Sequence, residues 1–475
     1  MQTWHDNTDV IVIGSGLAGL SAAIEAHRAG CRVVVFEKMK LTGGNTRISD
    51  GGLAAPGNFL QRKRRIADSP QQFIDDLMRA GLGLNHPELV RTLAEQAAAA
   101  IDWTRETLGV RYRDRLDRFG GHSVARSLTT RNHCGVDIIK AQLAGLQAAG
   151  VEIRTRCRLV RLLTTSGGAI GGVEIDGDGS AVTDSAGRIM RVRADRAVVL
   201  ATGGFANDVR FRALLQPQLS EALQTTNHKG ATAEGLVAAL RIGAFPVHLS
   251  RIQLGPWGCP DEKGYGRGGR FAAYAVFPAG ILIDPATGRR VVDEWADRRI
   301  RSQAMIRVGH PCLGIVDAIG AEADRDSLEH GLKSGRIGAF QTLADLAAAF
   351  DIPVRPLRDT VEAYNGAIED GRPDPFGKPL TPSAVKVAVP PFHAIRLWPK
   401  VHYTPGGVAI NSRTQVLDLD GKPIPRLYAA GEVCGGVHGA SRLGSCALTE
   451  GLVFGRIAGR EAASLPSRTT AAAEG

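Results

Sequence analysis

The chain has 475 residues, of which 44% are hydrophobic and 22% are charged. These values exclude a peptide-sized or disulfide-stapled fold, and the length allows two or three domains. Lys and Arg number 58 against 48 Asp and Glu, a formal charge of +10, which favours anionic small molecules or an acidic partner.

Cysteine usage and apolar runs bear on the compartment. The seven cysteines are odd in number and scattered, without C-x-x-C or metal-ligand spacing, which predicts a reducing compartment and no metal site. The first strand pattern begins at Asp9, which leaves no room for a signal peptide, and no apolar run approaches the roughly 18 residues of a membrane span. We therefore predict a cytoplasmic protein without a membrane span.

Glycine is the compositional outlier, with 58 copies and no collagen-like period. A buried-strand pattern at 9–13 is followed by Gly14-Ser-Gly16-Leu-Ala-Gly19, a helix pattern, and a second strand that ends in Glu37. Such a unit binds pyrophosphate at the helix N terminus and a ribose diol at the acid. Because a carboxylate repels a 2′-phosphate, Glu37 disfavours NADP and leaves NAD or FAD.

The next segments predict helices. Arg62-Lys63-Arg64-Arg65 is the one dense basic block, and we interpret it as a solvated loop, with docking of a redox partner as the alternative. Ser69-Pro70 with Gln72 predicts a helix start with a capping box. Asn85-His-Pro-Glu88 repeats this pattern before a helix that runs through Thr107.

The later chain changes period. Residues 150–200 predict strands, 245–400 predict a mixed α/β region, and 427–430 predict a return to a buried strand. Gly264-Tyr-Gly-Arg-Gly-Gly269 also contains a G-x-G pattern, but no strand precedes it, so we predict a flexible loop there. The small, polar residues 467–475 predict a flexible tail.

Three glycine-rich segments favour the longer flavin dinucleotide over NAD. Thr42-Gly-Gly-Asn-Thr46 with Gly51-Gly52 is suited to wrapping an extended cofactor. Ala201-Thr-Gly-Gly204 and Leu427-Tyr-Ala-Ala-Gly-Glu432 follow predicted strands.

Five motifs carry a resemblance to a known family. They are Val12-Ile-Gly-Ser-Gly-Leu-Ala-Gly19, Gly43-Gly-Asn-Thr46, Thr225-Thr-Asn-His228 leading to Gly230-Ala-Thr-Ala-Glu-Gly235, His402-Tyr-Thr-Pro-Gly-Gly407, and Gly431-Glu-Val-Cys-Gly-Gly-Val-His-Gly-Ala-Ser-Arg-Leu-Gly444. In this order, over nearly the whole chain, they resemble the flavoproteins of fumarate reductase and succinate dehydrogenase, particularly the soluble branch.

The resemblance implies an α/β (α+β overall) fold, in which a Rossmann-like FAD-binding domain at 1–245 and 401–466 is interrupted by a mixed α/β capping domain at 246–400. With the glycine turns, it implies FAD contacts at Gly14, Ser15, Gly16, Ala18, Gly19, Glu37, Lys38, Gly44, Asn45, Thr46, Gly51, Gly52, Val160, Ala201, Thr202, Gly203, Glu234, Tyr403, Glu432, Ala447 and Leu448. In membrane-bound relatives a histidine in the segment matching 43–52 bonds to the flavin. No histidine lies there, so we expect non-covalent FAD.

The resemblance also implies a catalytic set. His402 and Arg442 match the substrate-carboxylate ligands, and Arg298 matches the arginine that transfers the proton. A backbone-bonded histidine, an arginine paired with Glu432 and a surface helix arginine are the alternatives. The family usually has an acid directly after the catalytic arginine, whereas Arg299 follows here.

His122 and Arg126 lie where such enzymes bring a loop towards the flavin. We regard them as candidate supporting residues, with a purely structural role as the alternative.

Some positions depart from the family. Gly255 stands where relatives have the histidine of Gln-x-His-Pro, and Ala272, Ala273 and Val276 fall where relatives have a threonine, a glutamate and an arginine. One end of a dicarboxylate site is thus missing, which predicts that fumarate and succinate are not the substrates. The residues that would contact a bulkier or less polar acid are Trp257, Tyr274 or Tyr403.

We therefore expect an FAD-dependent oxidoreductase that acts on the CH–CH or C=C bond of an organic acid or an enone-type compound. A hydride would pass to or from flavin N5, in a direction that the residues leave open, with an unknown electron donor or acceptor. An oxidase resembling aspartate oxidase and a non-catalytic FAD-fold binding protein are the alternatives. No aromatic and basic stacking platform accompanies the charge, so we expect no nucleic-acid partner.

Overall fold

The computed structural model describes residues 3–177, 189–380 and 385–468. The predicted tail lies outside these residues from 469 onwards. The strands are β1 (Asp6–Ile13), β2 (Val33–Glu37), β3 (Gly52–Ala54), β4 (Ser127–Thr129), β5 (Glu152–Thr155), β6 (Cys157–Thr164), β7 (Ile170–Gly177), β8 (Ile189–Leu200), β9 (Pro246–Val247), β10 (Gln253–Gly255), β11 (Ile281–Asp284), β12 (Arg289–Arg290), β13 (Cys312–Val316), β14 (Ile337–Phe340), β15 (Phe392–Leu397), β16 (Lys400–Tyr403), β17 (Gly407–Val408), β18 (Gln415–Leu417) and β19 (Pro423–Ala429).

The helices are α1 (Leu17–Arg28), α2 (Gly44–Ile48), α3 (Phe59–Arg64), α4 (Pro70–Ala80), α5 (Pro87–Glu106), α6 (Val136–Ala148), α7 (Val209–Leu215), α8 (Glu234–Leu240), α9 (Gly266–Phe271), α10 (Phe277–Ala279), α11 (Arg298–Val308), α12 (Ala318–Ala321), α13 (Arg325–Lys333), α14 (Leu343–Ala349), α15 (Val354–Glu369) and α16 (Cys446–Ser464). A π-helix (Ala272–Val276) joins α9 to α10, and a 3-10 turn (Glu322–Asp324) precedes α13. None of the helices in the described ranges combines the length and the apolar character that a membrane crossing requires.

The chain forms two compact units. Unit 1 comprises the described parts of 1–218, 228–252 and 403–475, and unit 2 comprises those of 219–227 and 253–402. Residues 219–227 thus belong to unit 2, although they precede the predicted capping domain in the sequence.

The main sheet of unit 1 has the order β18-β19-β8-β1-β2-β5, and β7 pairs with both β8 and β6. β1 is parallel to β2 and β8, with Val12 opposite Val35 and Val199. Val10, Ile11 and Val12 are completely buried, as a continuous β-branched run in a parallel sheet requires. This Rossmann-like arrangement confirms the fold class predicted for the FAD-binding part.

Helices α1 and α16 of unit 1 pack in very close contact. A Cβ on Gly455 would lie 2.4 Å from the carbonyl oxygen of Ala18, and a Cβ on Gly459 would lie 2.3 Å from that of Ala22. Both glycines of α16 are therefore needed for this helix packing. The packing positions α16, which follows the motif that contains Arg442.

Unit 2 is built on an antiparallel sheet with the order β12-β11-β13-β15-β14. Leu282 faces one core cluster, which includes Trp257, whereas Ile281 and Ile283 face a second cluster, which includes Tyr364. The alternation of residues between the two faces gives unit 2 a core on each side of its sheet.

The prediction of a loop at 62–65 is wrong for most of the block, because α3 extends through Arg64. Asn58 caps this helix with a reciprocal capping box, and the basic residues fall in its last turn, where the helix dipole favours cations. Lys63 pairs with Asp114 at 2.9 Å. Pairing with distant acids was not visible in the local sequence.

The prediction of a loop at 264–269 is also wrong, because α9 begins at Gly266. The carboxylate of Glu262 accepts a hydrogen bond from the Gly269 amide at 3.1 Å. Cβ atoms on Gly266 and Gly268 would lie within 3 Å of that carboxylate, so the glycines let the acid approach the helix start.

The two helix starts differ in outcome. Ser69 caps α4 by accepting a hydrogen bond from the Gln72 amide at 3.1 Å, which confirms the cap itself. The predicted capping box is wrong, because the Ser69 amide donates to Asp68 at 3.0 Å instead of to Gln72. The N-cap of α5 is His86 rather than Asn85. The Asn85 side chain instead donates to the carbonyl oxygen of Val437 at 2.9 Å.

Candidate cofactor and substrate-binding residues

The glycine turn between β1 and α1 combines tight packing with an open backbone position. Gly14 has a φ of +105°, and a Cβ there would lie 2.3 Å from the Ala201 carbonyl oxygen. A Cβ on Gly19 would lie 1.9 Å from the Gly14 carbonyl oxygen, whereas one on Gly16 would meet no described atom within 4 Å. Gly16 is the N-cap of α1, so the free N–H groups of this helix are accessible to a pyrophosphate.

Glu37 lies at the end of β2 and is buried. Its Oε2 accepts from the amide and the hydroxyl of Ser15, at 3.1 and 2.6 Å. Its Oε1 accepts from the Met39 amide at 2.8 Å. Two carboxylate oxygens offer about four acceptor positions, so Oε1 retains capacity for a ribose hydroxyl.

Lys38 and Glu234 form an ion pair at the same end of unit 1. The Lys38 ammonium lies 2.7 Å from the Glu234 carboxylate and 2.5 Å from the Thr232 hydroxyl. A cavity of about 500 Å³ adjoins this pair, and Arg156 and Lys229 also line it. Its volume lies within the range of small-ligand sites.

Two further strands contribute to this region. The pairing of β6 with β7 shifts between Leu159 and Arg161, which places a β-bulge at Val160, where a backbone group leaves the ladder. After β8, the Thr202 hydroxyl is buried without a hydrogen-bond partner among the described residues. A Cβ on Gly203, with a φ of +74°, would meet no described atom within 4 Å. The open backbone and the buried hydroxyl fit a dinucleotide.

The second glycine loop leads into α2. The Asn45 side-chain oxygen accepts from the His228 amide at 3.1 Å. The Thr46 hydroxyl accepts from the Leu17 amide at 3.4 Å, and thus contacts the first turn of α1. Ala18, also in that turn, is 8% exposed. Gly44, whose φ is +51°, begins α2. The hydrogen bond between Thr46 and Leu17 therefore holds this loop against the first glycine turn.

The N terminus of α16 lies next to Gly52. A Cβ on Gly52 would lie 2.7 Å from the Ser445 hydroxyl, and Gly51 has a φ of +74°. Ala447 and Leu448 occupy the first turn of α16, whose N–H groups and dipole favour an electronegative ligand.

Arg442 belongs to a buried polar network in unit 1. Its guanidinium carbon lies 4.5 Å from the centroid of the Tyr403 ring. The Tyr403 hydroxyl donates to Oε2 of Glu450 at 2.5 Å, and His438 Nε2 lies 3.0 Å from the same oxygen. Burial, with the nearby Glu450 carboxylate, raises the pKa of Tyr403 well above its usual value, so the phenol stays a hydrogen-bond donor.

Glu432 interacts electrostatically with Arg442 and Glu450 of this network. It accepts from the amide and hydroxyl of Thr404 at 2.9 and 3.3 Å. Burial raises the pKa of Glu432 to about 7, although Thr404 and Arg442 act in the opposite direction. A Cβ on Gly204 would lie 2.4 Å from its carboxylate oxygen, so a larger residue there would displace the carboxylate.

In unit 2, Trp257 brings two predicted catalytic residues together. The Arg298 guanidinium carbon lies 4.4 Å from the centroid of the Trp257 ring. The His402 ring packs edge-on, 5.0 Å from the same indole, and its Nδ1 lies 2.7 Å from the Thr226 hydroxyl. Arg298 is the first residue of α11, which Asp297 caps.

The indole also explains the glycine at 255. A Cβ on Gly255 would lie 3.1 Å from the Trp257 six-membered ring and 3.3 Å from the His402 Cβ. Ala272 and Val276 of the π-helix are completely buried, and they belong to the same apolar cluster as Trp257. This stretch of the π-helix is thus apolar and buried, and π-helical turns are frequent at functional sites.

His122 and Arg126 form a supporting network. Arg126 is completely buried and pairs with Asp68 at 2.9 Å and Asp76 at 2.6 Å. His122 Nε2 lies 3.0 Å from the carbonyl oxygen of Gly444, in the loop after Arg442. These contacts favour a structural role.

Three residues of these networks were not predicted from the sequence: Thr226, His438 and Glu450. Thr226 and His438 lie inside motifs shared with the family, but the resemblance implies no role for them. Glu450 is an acid within an apolar helix, and such an acid is rarely buried without a partner. An acid in an apolar helix therefore predicts a buried polar partner, but the sequence does not show that the partner is Tyr403.

Comparison with known proteins agrees with this arrangement. Residues 9–448 match the model of a family described as FAD binding domain. The chain is 39% identical over 464 residues to the acrylate reductase flavoprotein subunit of Shewanella woodyi, covering 96% of this chain and 91% of that one. It is 34% identical to the urocanate reductase of Eggerthella lenta, covering 97% and 75%.

A solved structure, the open conformation of a flavocytochrome c3 fumarate reductase, superposes with a TM-score of 0.76 at 31% identity, covering 97% of this chain and 78% of that one. The glycine turns, the acid after β2 and the buried Thr202 hydroxyl fit FAD. Proteins of the fumarate reductase flavoprotein family react at carbon–carbon double bonds. The chain therefore belongs to this family and is an FAD-dependent oxidoreductase.

Proposed function

We propose that this protein reduces the C=C bond of a 2-enoate with a single carboxylate, of which acrylate is the simplest. The apolar π-helix supports this proposal, because Ala272 and Val276, which by resemblance fall where relatives have polar residues, are completely buried. The substrate named for the Shewanella woodyi relative, acrylate, supports it.

Arg442 is the proposed ligand of the substrate carboxylate. A guanidinium fork binds a carboxylate through two parallel charge-assisted hydrogen bonds, which fix its plane. The Tyr403 ring, held by Glu450, supports the guanidinium from one side. The same bonds draw electron density towards the carboxylate and thereby polarise the conjugated double bond.

His402 is the proposed second ligand of the carboxylate. Its Nδ1 is engaged with the Thr226 hydroxyl, so the ring orientation is fixed and Nε2 is the nitrogen for the substrate.

Arg298 is the proposed proton donor. FAD, when bound and reduced by its electron donor, would supply the hydride that adds to one carbon of the double bond. Arg298 would then give a proton to the neighbouring carbon. Its position at the N terminus of α11 places the cation where the helix dipole repels it, which favours release of that proton.

The cofactor-binding residues assigned above are proposed to hold FAD without a covalent bond, because no histidine lies in 43–52. Unit 2 is proposed to correspond to the capping domain. The S. woodyi relative is named a flavoprotein subunit, and we accordingly propose that a separate donor supplies the electrons.

The test uses the purified holoenzyme, reduced by dithionite under anaerobic conditions and mixed with acrylate. We expect the flavin absorbance to return with one propionate formed per flavin. A protein that contains no flavin, or that is re-oxidised by no enoate, contradicts the proposal. Stoichiometric peroxide on addition of a saturated acid in air would support an oxidase instead.

A further inference from the structure

Trp257 is a core residue of unit 2 that also contacts two of the proposed catalytic residues. Its indole packs between the Arg298 guanidinium at 4.4 Å and the His402 ring at 5.0 Å. It also lies against the backbone of Gly255, where any side chain would come within about 3.1 Å of it. The indole thus borders both proposed catalytic residues of unit 2 and crowds any side chain at 255.

The polar end of the same indole lacks an acceptor. Trp257 is 4% exposed, and its Nε1–H has no hydrogen-bond partner among the described residues. An unpaired buried donor is unfavourable, and buried indole N–H groups usually find a partner. A ligand oxygen would satisfy this donor.

Apolar side chains also surround the indole. Trp257 belongs to a buried cluster with Phe271, Ala272, Ala275 and Val276. These side chains have no hydrogen-bond donor for a second carboxylate other than the indole N–H, and burying an unpaired carboxylate is strongly unfavourable. The charged groups that stack on rings of the cluster are Arg298, on Trp257, and Arg301, 4.5 Å from the Phe277 ring.

We propose that Trp257 contacts the substrate and determines its class. The ring closes the space beside Gly255 to a second carboxylate, and the indole N–H donates a hydrogen bond to the carboxylate of a one-carboxylate enoate. This inference rests on the proposed function, since it names the group that selects the substrate of that reaction.

The first test replaces Trp257 by Phe, which retains a ring next to Arg298 and removes the N–H. We expect KM for acrylate and the dissociation constant of propionate, measured by calorimetry, to rise about tenfold, with a smaller change in kcat. Trp103→Phe is the matched control, because Trp103 is also buried, stacks on Arg456 at 4.6 Å and has an unpaired N–H among the described residues.

The second test combines Trp257→Ala with Gly255→His, which opens the space and adds a cationic ligand. We expect the ratio of kcat/KM for fumarate to that for acrylate to rise about tenfold or more. An unchanged ratio in a variant that retains FAD overturns the specificity role. If the double variant does not fold, the Trp257→Phe variant alone tests the inference. A KM for acrylate and a dissociation constant of propionate equal to those of Trp103→Phe would overturn it.

The two proposals fail in different ways. A wild-type enzyme that reduces no enoate refutes the proposed function. A wild-type enzyme that reduces acrylate, with Trp257→Phe binding propionate as tightly as wild type does, refutes only the role of Trp257.

Discussion

Two arginines in this molecule stack on aromatic rings at nearly equal distances, yet their surroundings differ. In unit 1, Arg442 lies 4.5 Å from the Tyr403 ring, and Glu450 ties Tyr403 into a buried polar network. In unit 2, Arg298 lies 4.4 Å from Trp257, whose other neighbours include an apolar cluster.

This difference separates two tasks. A ring held by a short hydrogen bond to a buried carboxylate is a rigid support, which suits a group that must fix a carboxylate in one plane. A ring among apolar side chains offers few partners to an additional carboxylate, which is the selectivity proposed for Trp257.

Arg298→Gln is expected to have the largest effect. It removes the proposed proton donor, so kcat for acrylate should fall about 10³-fold, within the range for acid–base groups, while propionate binding changes little. Steady-state kinetics and calorimetry measure the two quantities. Arg299→Gln, on the same helix, is the control, and equal kinetics for both variants would contradict the assignment.

Arg442→Lys should lower kcat/KM for acrylate about 10²- to 10³-fold, because a point charge does not reproduce the guanidinium fork. The flavin absorbance per protein should stay the same. Arg456→Lys, which changes the arginine stacked on Trp103, is the matched control. Unchanged kcat/KM for acrylate in Arg442→Lys would contradict the proposal that Arg442 binds the substrate carboxylate.

Glu432 predicts a pH dependence of stability in unit 1. Its pKa is raised from 4.5 to about 7 in the folded chain, so the folded state binds more protons than the unfolded state between these values. The free energy of unfolding should therefore fall by about 3 kcal/mol as pH rises from 4.5 to 7. Urea unfolding of the holoenzyme measures this, and Glu432→Gln should lack that component. An identical pH profile in the variant would refute the prediction.

Glu450→Gln should have the smallest effect. It keeps the shape but removes the charge that joins Tyr403 to His438, so the free energy of unfolding should fall by about 1–2 kcal/mol and KM for acrylate should rise. Glu461→Gln breaks only the exposed pair with Arg413 and should change stability by less than about 0.5 kcal/mol. Equal losses in the free energy of unfolding for Glu450→Gln and Glu461→Gln would show that the buried network does not stabilise unit 1 more than an exposed ion pair does.

The parts of the fold that local patterns determine could be predicted. The strand ending at Ile13, the glycine turn after it and the acid at Glu37 are all specified by neighbouring residues. The helix over the basic block could not be predicted, because its stability depends on Asn58 and on acids far along the chain, including Asp114.

The candidate site follows the same division. The resemblance of the motifs pointed to Arg298, His402 and Arg442, and the structure places the first two against a shared indole. That the Trp257 indole occupies the space beside Gly255 depends on packing between separate segments of unit 2, which no local pattern encodes. The pairing of Tyr403 with Glu450 has the same origin.

The most direct test of the account is the rate at which the reduced holoenzyme is re-oxidised by acrylate and by fumarate in anaerobic stopped flow. The account predicts that the second-order rate constant for acrylate exceeds that for fumarate by at least about tenfold. A rate constant for fumarate equal to or above that for acrylate would contradict it.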